Sequence, residues 1–554
     1  MRNIVSAVMA ILLVCLSIEI KAQELGPKEL QQKVQQAIAK VSPACVFLSD
    51  YDTITKREGG NRFSGVIVSE DGLILTAAHV GHPKQTYLVI MPDGKECFAT
   101  GLGSISKYDV AVLKMNQPGN YPYAEMGWAS SLRVGEPCFS VAYPGSMPVP
   151  VSVARFGMVA DLNDPRMKMI RTTCRMEPGD SGGPVFDLLG RVIGIRSYIL
   201  MDLADNFEVP VDTFRKYWSA FQKPVEYNKI PIPVAIPKDP LAMDRIYYKN
   251  IHSVETMTVD YESKFALHTV ELINTLGKQV ALGLLVKSPG HLTTKTLIVS
   301  KSSEIPNDVY ALLPDATKRK LKVEYRDEAR DLVLLSSSKE WEGSLEISSI
   351  TSDTVNSSQI GMFLLSPNPR DGGEFSVLGS SEFGIPGTYN IGYFGAGIWP
   401  KDGHIKVKMI ENGSPANKAG LLAGDQLVSI NKVVVNEPQD FINVIRSGRP
   451  GDTVHIAVER AGTEKTFAVV LSKLPEPPSW HAADQFKDGK SDRRDGFERV
   501  FAHDGKLKPS VCGGPVFNLD GVFMGINIAR VSRTSSVTIP SSEVKSFLEE
   551  AIKI

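Results

Sequence analysis

At 554 residues the chain is too long for a single core and holds roughly three domains on length alone. Its composition is ordinary for globular protein, 43% hydrophobic and 22% charged. A formal net charge of −1 gives no support for nucleic acid as a partner, which would want a basic face. The N-terminus opens with a short basic start, Met1-Arg-Asn, an apolar run from Ile4 to Ile20 and then Lys21-Ala-Gln23. This reads as a signal peptide over residues 1–22, so the mature chain is expected in the periplasm or secreted, with no stable membrane span. Cys15 follows the bulky Val14 and makes a poor lipid-attachment site. The remaining cysteines, Cys45, Cys97, Cys138, Cys174 and Cys512, are odd in number and show no metal-ligand spacing. They are expected to be mostly buried small hydrophobes.

Leu30, Val34, Ala37, Ile38 and Val41 recur at helical spacing, and a strand follows at Cys45–Leu48. Short apolar segments separated by turns then run to Val192–Ser197, the pattern of an all-β barrel or sandwich. A helix over Val211–Phe221 closes this first unit, residues 23–222. Residues 223–244 carry Pro224, Pro231, Pro233, Pro237 and Pro240 and read as a semi-rigid linker. A second β-rich unit covers 245–390, a compact module 391–473, a Pro-rich and then charged linker 474–496, and a last β segment 497–554, ending in a helix at Ser542–Ile552.

The second β-rich unit repeats the first. Ser64-Gly-Val-Ile-Val-Ser-Glu-Asp-Gly72 matches Leu282-Gly-Leu-Leu-Val-Lys-Ser-Pro-Gly290, and Asp109-Val-Ala-Val-Leu113 matches Asp331-Leu-Val-Leu-Leu335. Ser181-Gly-Gly-Pro-Val-Phe186 matches Cys512-Gly-Gly-Pro-Val-Phe517. The order is kept, but the gap from Asp331 to Cys512 far exceeds that from Asp109 to Ser181. The compact module fills the excess, so it is inserted within the second copy.

Glu177-Pro-Gly-Asp-Ser-Gly-Gly-Pro-Val-Phe186 has the form of an exposed nucleophile on a tight turn, with glycines that free backbone amides for an oxyanion. A serine hydroxyl needs an adjacent base, and an imidazole needs a carboxylate to fix its tautomer. Leu73-Ile-Leu-Thr-Ala-Ala-His79 and Lys107-Tyr-Asp-Val-Ala-Val-Leu113 supply both upstream, in the order His, Asp, Ser. In the second copy, counting along the matched blocks sets Leu297 against His79, Ser510 against Gly179, Val511 against Asp180 and Cys512 against Ser181. Asp331 alone is retained, so that copy is expected to keep the fold without activity, and a nucleophilic Cys512 is the weakest alternative.

Through Thr76-Ala-Ala-His79, Tyr108-Asp-Val-Ala-Val and Gly179-Asp-Ser-Gly-Gly-Pro, residues 24–222 resemble a trypsin-like serine protease domain of the HtrA/Deg type. The resemblance implies a mainly β chain with two chymotrypsin-like double β-barrel domains, the second degenerate. It makes Ser181 the nucleophile, His79 the base, Asp109 its orienter and the amides of Gly179 and Ser181 the oxyanion hole. Val192–Ser197 would hold an extended substrate by strand addition. HtrA-like chains usually carry asparagine where this one has Asp180, which is expected only to brace the turn. Arg175, six residues before Ser181, holds the position that often floors the primary specificity pocket; a surface arginine pointing away is the other reading.

The inserted module, with Gly395-Ala-Gly-Ile398, Gly413-Ser-Pro-Ala416 and Ala419-Gly-Leu-Leu-Ala-Gly-Asp-Gln-Leu427, resembles a PDZ domain. That resemblance implies capture of peptides or C-termini at the amides of Ala396, Gly397 and Ile398, although the chain itself could occupy the groove and Pro400 removes one donor. The expectation for the whole is an exported serine endopeptidase acting on unfolded or misfolded polypeptides, needing no cofactor and no metal, with self-association implied by the resemblance. A scaffold or chaperone of negligible turnover is the alternative.

Overall fold

The computed structural model describes residues 25–553 apart from 149, 288–295, 390, 476–480 and 482; the signal-peptide segment lies outside the described residues. The chain divides into two units, one of residues up to 383 with 481–492 and 499–554, the other of 384–480 with 493–498.

The first unit begins with α1 (Pro27–Val41), which has Pro27 in its first turn and Glu29 and Lys40 placed to complement the helix dipole. Its buried residues are Leu30, Val34, Ala37, Ile38 and Val41, the stripe set by the helical period. Six strands then close into a barrel: β1 (Cys45–Asp52), β2 (Arg57–Ile67), β3 (Leu73–Thr76), β4 (Thr86–Ile90), β5 (Glu96–Ile105) and β6 (Val110–Met115). A second closed barrel follows from β7 (Pro137–Ala142), β8 (Val153–Asp161), β9 (Ile170–Thr172), β10 (Pro184–Asp187), β11 (Val192–Ile199) and β12 (Asn206–Pro210). The helix after β12, α2, is shorter than its sequence pattern and stops at Lys216, with a 3-10 turn at Ala220–Gln222.

The Pro-rich stretch after this copy lies strapped to the second barrel. Trp128 donates its indole N–H to the carbonyl of Pro237 at 2.8 Å, and the buried Arg191 bridges Asp187 and Asp239 at 2.8 and 2.9 Å.

The second copy repeats the strand succession with a different outcome. Its first half, from Thr269–Ile273 to Leu332–Ser336, is an open seven-stranded sheet. Its outer strands are Lys318–Lys320 and Lys322–Asp327, whose charged side chains discourage pairing with another chain. The second half places Glu374–Val377, Phe363–Ser366, Pro515–Asn518, Phe523–Arg530, Ser536–Pro540 and Phe497–His503 side by side in that order, and Ser541–Lys553 forms the closing helix.

The other unit is a small sheet ordered Ala396–Lys401, His404–Ile410, Gln426–Ile430, Thr453–Arg460 and Thr463–Val470, with helices at Pro415–Ala419 and Pro438–Ser447. Phe394, Val407, Leu427, Phe441, Ile456 and Val458 form its core.

Candidate active site

β3 ends at Thr76 and leads directly into Ala77-Ala78-His79, while Asp109 follows the 3-10 turn Ser106–Tyr108 and precedes β6. Pairing of β3 with β6, Thr76 opposite Ala111, brings the two side chains together. Asp109 sits in the left-handed region at φ 55° and accepts the His79 amide at 2.9 Å. Its two oxygens lie 3.0 and 2.9 Å from His79 Nδ1. That contact fixes the proton on Nδ1 and leaves Nε2 as the basic nitrogen. The hydroxyl of Ser197 on β11 donates to the same carboxylate.

The nucleophile turn between β9 and β10 is held against the first barrel by Ser64. The Ser64 amide donates to the carbonyl of Ser181 at 2.9 Å, and its hydroxyl donates to the carbonyl of Gly179 at 2.8 Å. Gly182 makes the close approach: at φ 78°, a Cβ there would lie 1.9 Å from Thr76 Oγ1. The turn therefore packs on the end of β3, next to the histidine. Pro178 turns its carbonyl to the Gly145 amide at 2.7 Å. Among the described residues no hydrogen bond engages the amides of Gly179 and Ser181. None joins Ser181 to His79 either, a pairing that in such sites tightens with substrate.

Asp180 is fully buried, accepts the Glu177 amide at 2.8 Å and pairs with the equally buried Arg155. Arg175 takes neither place open to it in the sequence. It is buried and lines a cavity of about 60 Å³ with Phe156, Glu374 and Asp504, the last two from the second copy. Burial lowers its pKa, and the nearby carboxylates of Asp504 and Glu374 oppose that shift. Another buried arginine of the second barrel, Arg196, caps the carbonyls of Cys174 and Arg175 at 3.1 Å each with its guanidinium and reaches Ser140.

Ser64 was not legible as a site residue, nor was the bond from Ser197 to Asp109. Ser64 is 115 positions from Gly179 and Ser197 is 88 from Asp109, so only folding shows the contact. We expect Ser197→Ala to lower kcat by roughly ten- to a hundredfold, the worth of one hydrogen bond to a charged group. KM should stay nearly unchanged, and steady-state kinetics on a peptide substrate checks this.

The second copy corrects the ungapped alignment. Gly65 is the neighbour of Val66, which faces Leu75, whereas Gly283 faces Ser300. Thr76 is thus equivalent to Ser300, and His79 to Ser303, not to Leu297. More residues separate Gly283 from Ser300 than Gly65 from Thr76, which shifts the register. The contacts agree: the Ser303 amide and hydroxyl donate to Asp331 at 2.7 and 2.9 Å, and Asp331 has φ 58°. Gly513 abuts Ser300 as Gly182 abuts Thr76. A hydroxyl therefore stands where the first copy has its imidazole. Cys512 is buried, burial raises its pKa, and Ser491 covers it at 3.7 Å. Ser491 also pairs with the strand Phe523–Arg530, its amide donating to the Arg530 carbonyl at 2.9 Å. A segment of the chain itself thus pairs with the strand edge next to Cys512.

His503 is a buried structural residue of this copy. Its Nε2 lies 3.0 Å from Asn527 Oδ1 and its Nδ1 accepts the Gly505 amide at 3.2 Å, which fixes the neutral ring. Burial, helped by Arg175, pushes its pKa down to about 4. The folded state then binds fewer protons than the unfolded state below the usual histidine value, so stability falls as pH drops from about 6.5 to about 4. We expect this group to account for ~3 kcal/mol across that window. Urea unfolding at several pH values checks it, because His503→Gln should lose that share of the slope.

In the other unit, Ala396, Gly397 and Ile398 open the edge strand, opposite Ile410, Met409 and Val407. Ala396 and Ile398 pack on the core beside Phe441, Val444 and Ile445.

Comparison with known proteins agrees with both units. The family described as trypsin-like peptidase domain matches residues 63–195, and the PDZ domain family matches 392–471. The chain is similar to a probable periplasmic serine endoprotease DegP-like of Halomonas elongata, 36% identical over 27% of this chain and 32% of that one. It is also similar to serine protease HTRA1 of Xenopus tropicalis, 32% identical over 35% and 44% of the two chains. A DegP-like protein of Bartonella henselae matches at 24% identity over 70% and 69%. The chain thus spans about a third to under half of the length of the first two relatives. The chain carries a trypsin-like peptidase domain and a PDZ domain, and the relatives it resembles are named as HtrA and DegP-like serine proteases.

Proposed function

We propose that the first copy is a serine endopeptidase with Ser181 as nucleophile, His79 as general base and then acid, and Asp109 as the orienter of the imidazole. The observation that carries this is the clasp of His79 and Ser197 on one carboxylate, beside a turn whose Gly179 and Ser181 amides are uncommitted. Ser181 Oγ adds to the scissile carbonyl carbon while His79 Nε2 takes its proton. The oxyanion forms within reach of the two amides, and His79 then gives the proton to the departing amine. Water repeats the sequence on the acyl-enzyme and frees the carboxylate product.

Substrate is an extended polypeptide lying along β11. That side of β11 is engaged as far as Arg196, whose amide and carbonyl meet Gly183 and Gly182 at 2.8 Å, which leaves the edge of Ser197–Ile199 open to an added strand. Unfolded or misfolded chains in an exported compartment suit this mode because their backbone is free to pair. The edge strand at Ala396–Ile398 supports recognition of peptides or C-termini by the PDZ unit. Arg175 is not a floor for the specificity pocket in this reading, since its charge lies against Glu374 and Asp504.

The test is cleavage of an unfolded substrate by the purified full chain, together with labelling by a serine-directed phosphonate. Turnover with one label per chain supports the peptidase. No turnover and no label on several unfolded substrates would favour a scaffold.

A further inference from the structure

The two copies meet through equivalent loops. In the first copy, residues 200–205 join β11 to β12; in the second, 531–535 join the matching strands Phe523–Arg530 and Ser536–Pro540. Hairpin tips are ordinarily exposed. Here Ser532, Arg533, Thr534 and Ser535 are all buried, and Arg533 and Thr534 fully so.

What buries them is the catalytic copy. Arg533 donates from Nη1 to the carbonyl of Leu200 and from Nη2 to that of Asp202, both at 3.0 Å. One guanidinium thus clasps the loop that continues the strand of Ser197. The Thr534 hydroxyl donates to Glu177 Oε2 at 2.9 Å. Glu177 opens the nucleophile turn: its Oε1 accepts the Ser146 amide at 3.1 Å, and its own backbone exchanges hydrogen bonds with Asp180 at 2.8 and 3.0 Å. A second tie runs through Asp504, which accepts the amide of Phe156 on β8 at 3.0 Å and that of Val377 in its own copy at 2.7 Å. A buried arginine is a destabilising way to hold a contact that apolar groups could hold. Its directed hydrogen bonds do set the shape of the two loops, and oxyanion donors and substrate strands work only when placed to within a fraction of an ångström.

We propose that Arg533 and Thr534 of the degenerate copy are positioning residues for the catalytic copy, holding residues 200–205 and 177–182 in their working shape. This rests on the reading of the first copy as the peptidase. The second copy is then a built-in partner that keeps the fold and gives up chemistry. It acts through the hairpin tip that matches residues 200–205 of the first copy.

The experiment uses the full chain with Thr534→Val, which keeps size and loses the hydroxyl, and Thr534→Ser, which restores it. Each is read by kcat and KM on a peptide, by phosphonate labelling rate, by thermal midpoint, and by hydrogen exchange over 176–183 and 200–205. The valine variant should lose roughly ten- to a hundredfold in kcat with KM within about twofold, and exchange faster over 176–183. The serine variant should return both to near wild type. A valine variant with wild-type kcat and exchange overturns the proposal, as does a serine variant no better than valine, or a loss that merely follows the unfolded fraction. If the wild type neither cleaves nor labels, the peptidase reading falls by itself. Exchange still decides the coupling: faster in valine and restored in serine supports it, and equal exchange overturns it.

Discussion

We expect Ser181→Ala to abolish cleavage and phosphonate labelling, and Cys512→Ala to leave both as in the wild type. The expected fall in kcat is on the order of a millionfold, because removing the nucleophile disables the triad as a unit and leaves only the oxyanion site and binding. His79→Ala should fall about as far, and the double variant no further. Indifference to Cys512→Ala follows from three observations on the second copy. The thiol is buried and its pKa is raised by that burial, Ser303 stands in the place of the base, and Ser491 covers the site. Single-turnover cleavage of a fluorogenic peptide, with mass spectrometry of the labelled peptide, distinguishes the two serine and cysteine turns directly. Loss of activity only in the cysteine variant would reverse the assignment.

Asp180→Ala should cost about 3–5 kcal/mol, the most of any single change near the turn, because it strands a buried guanidinium. Arg155 and Asp180 are both fully inaccessible, and Nε and Nη2 of Arg155 already lack partners among the described residues. Deleting the carboxylate leaves the charge without its hydrogen-bonded partner, with only the more distant Asp504 to offset it, and the Glu177 amide loses its acceptor as well. The companion Arg155→Met/Asp180→Ala removes both charges together and should recover most of the loss. Urea unfolding of wild type, single and double variants checks the pattern, and a single variant within about 1 kcal/mol of wild type would mean that the pair is electrostatically idle.

The two faces of this turn are separable. Ser181 is half-buried, whereas Asp180 is fully buried in the second barrel against Arg155. A substitution on the buried face acts through folding, and one on the open face through chemistry. Glu177 belongs to both sides, since its backbone joins Asp180 and its side chain reaches Ser146 and Thr534.

Local sequence determined the parts whose physics is local. The stripe of α1, the strands before His79 and after Asp109, and the glycines of the nucleophile turn follow from periodicity and from backbone needs at single positions. The order His79, Asp109, Ser181 and the duplicate turn at Cys512 were likewise open to reading. Tertiary structure alone decided what depends on register and on distant contacts. The longer spacing from Gly283 to Ser300 than from Gly65 to Thr76 moves the later residues along the strand, so Ser303 rather than Leu297 faces Asp331. Arg175 left two readings in the sequence and took a third place, because the carboxylates of Glu374 and Asp504 reach it only when the two copies pack. Ser64, Ser197 and Thr534 are ordinary hydroxyls in sequence, and each gains its role from a partner that folding brings within hydrogen-bonding distance.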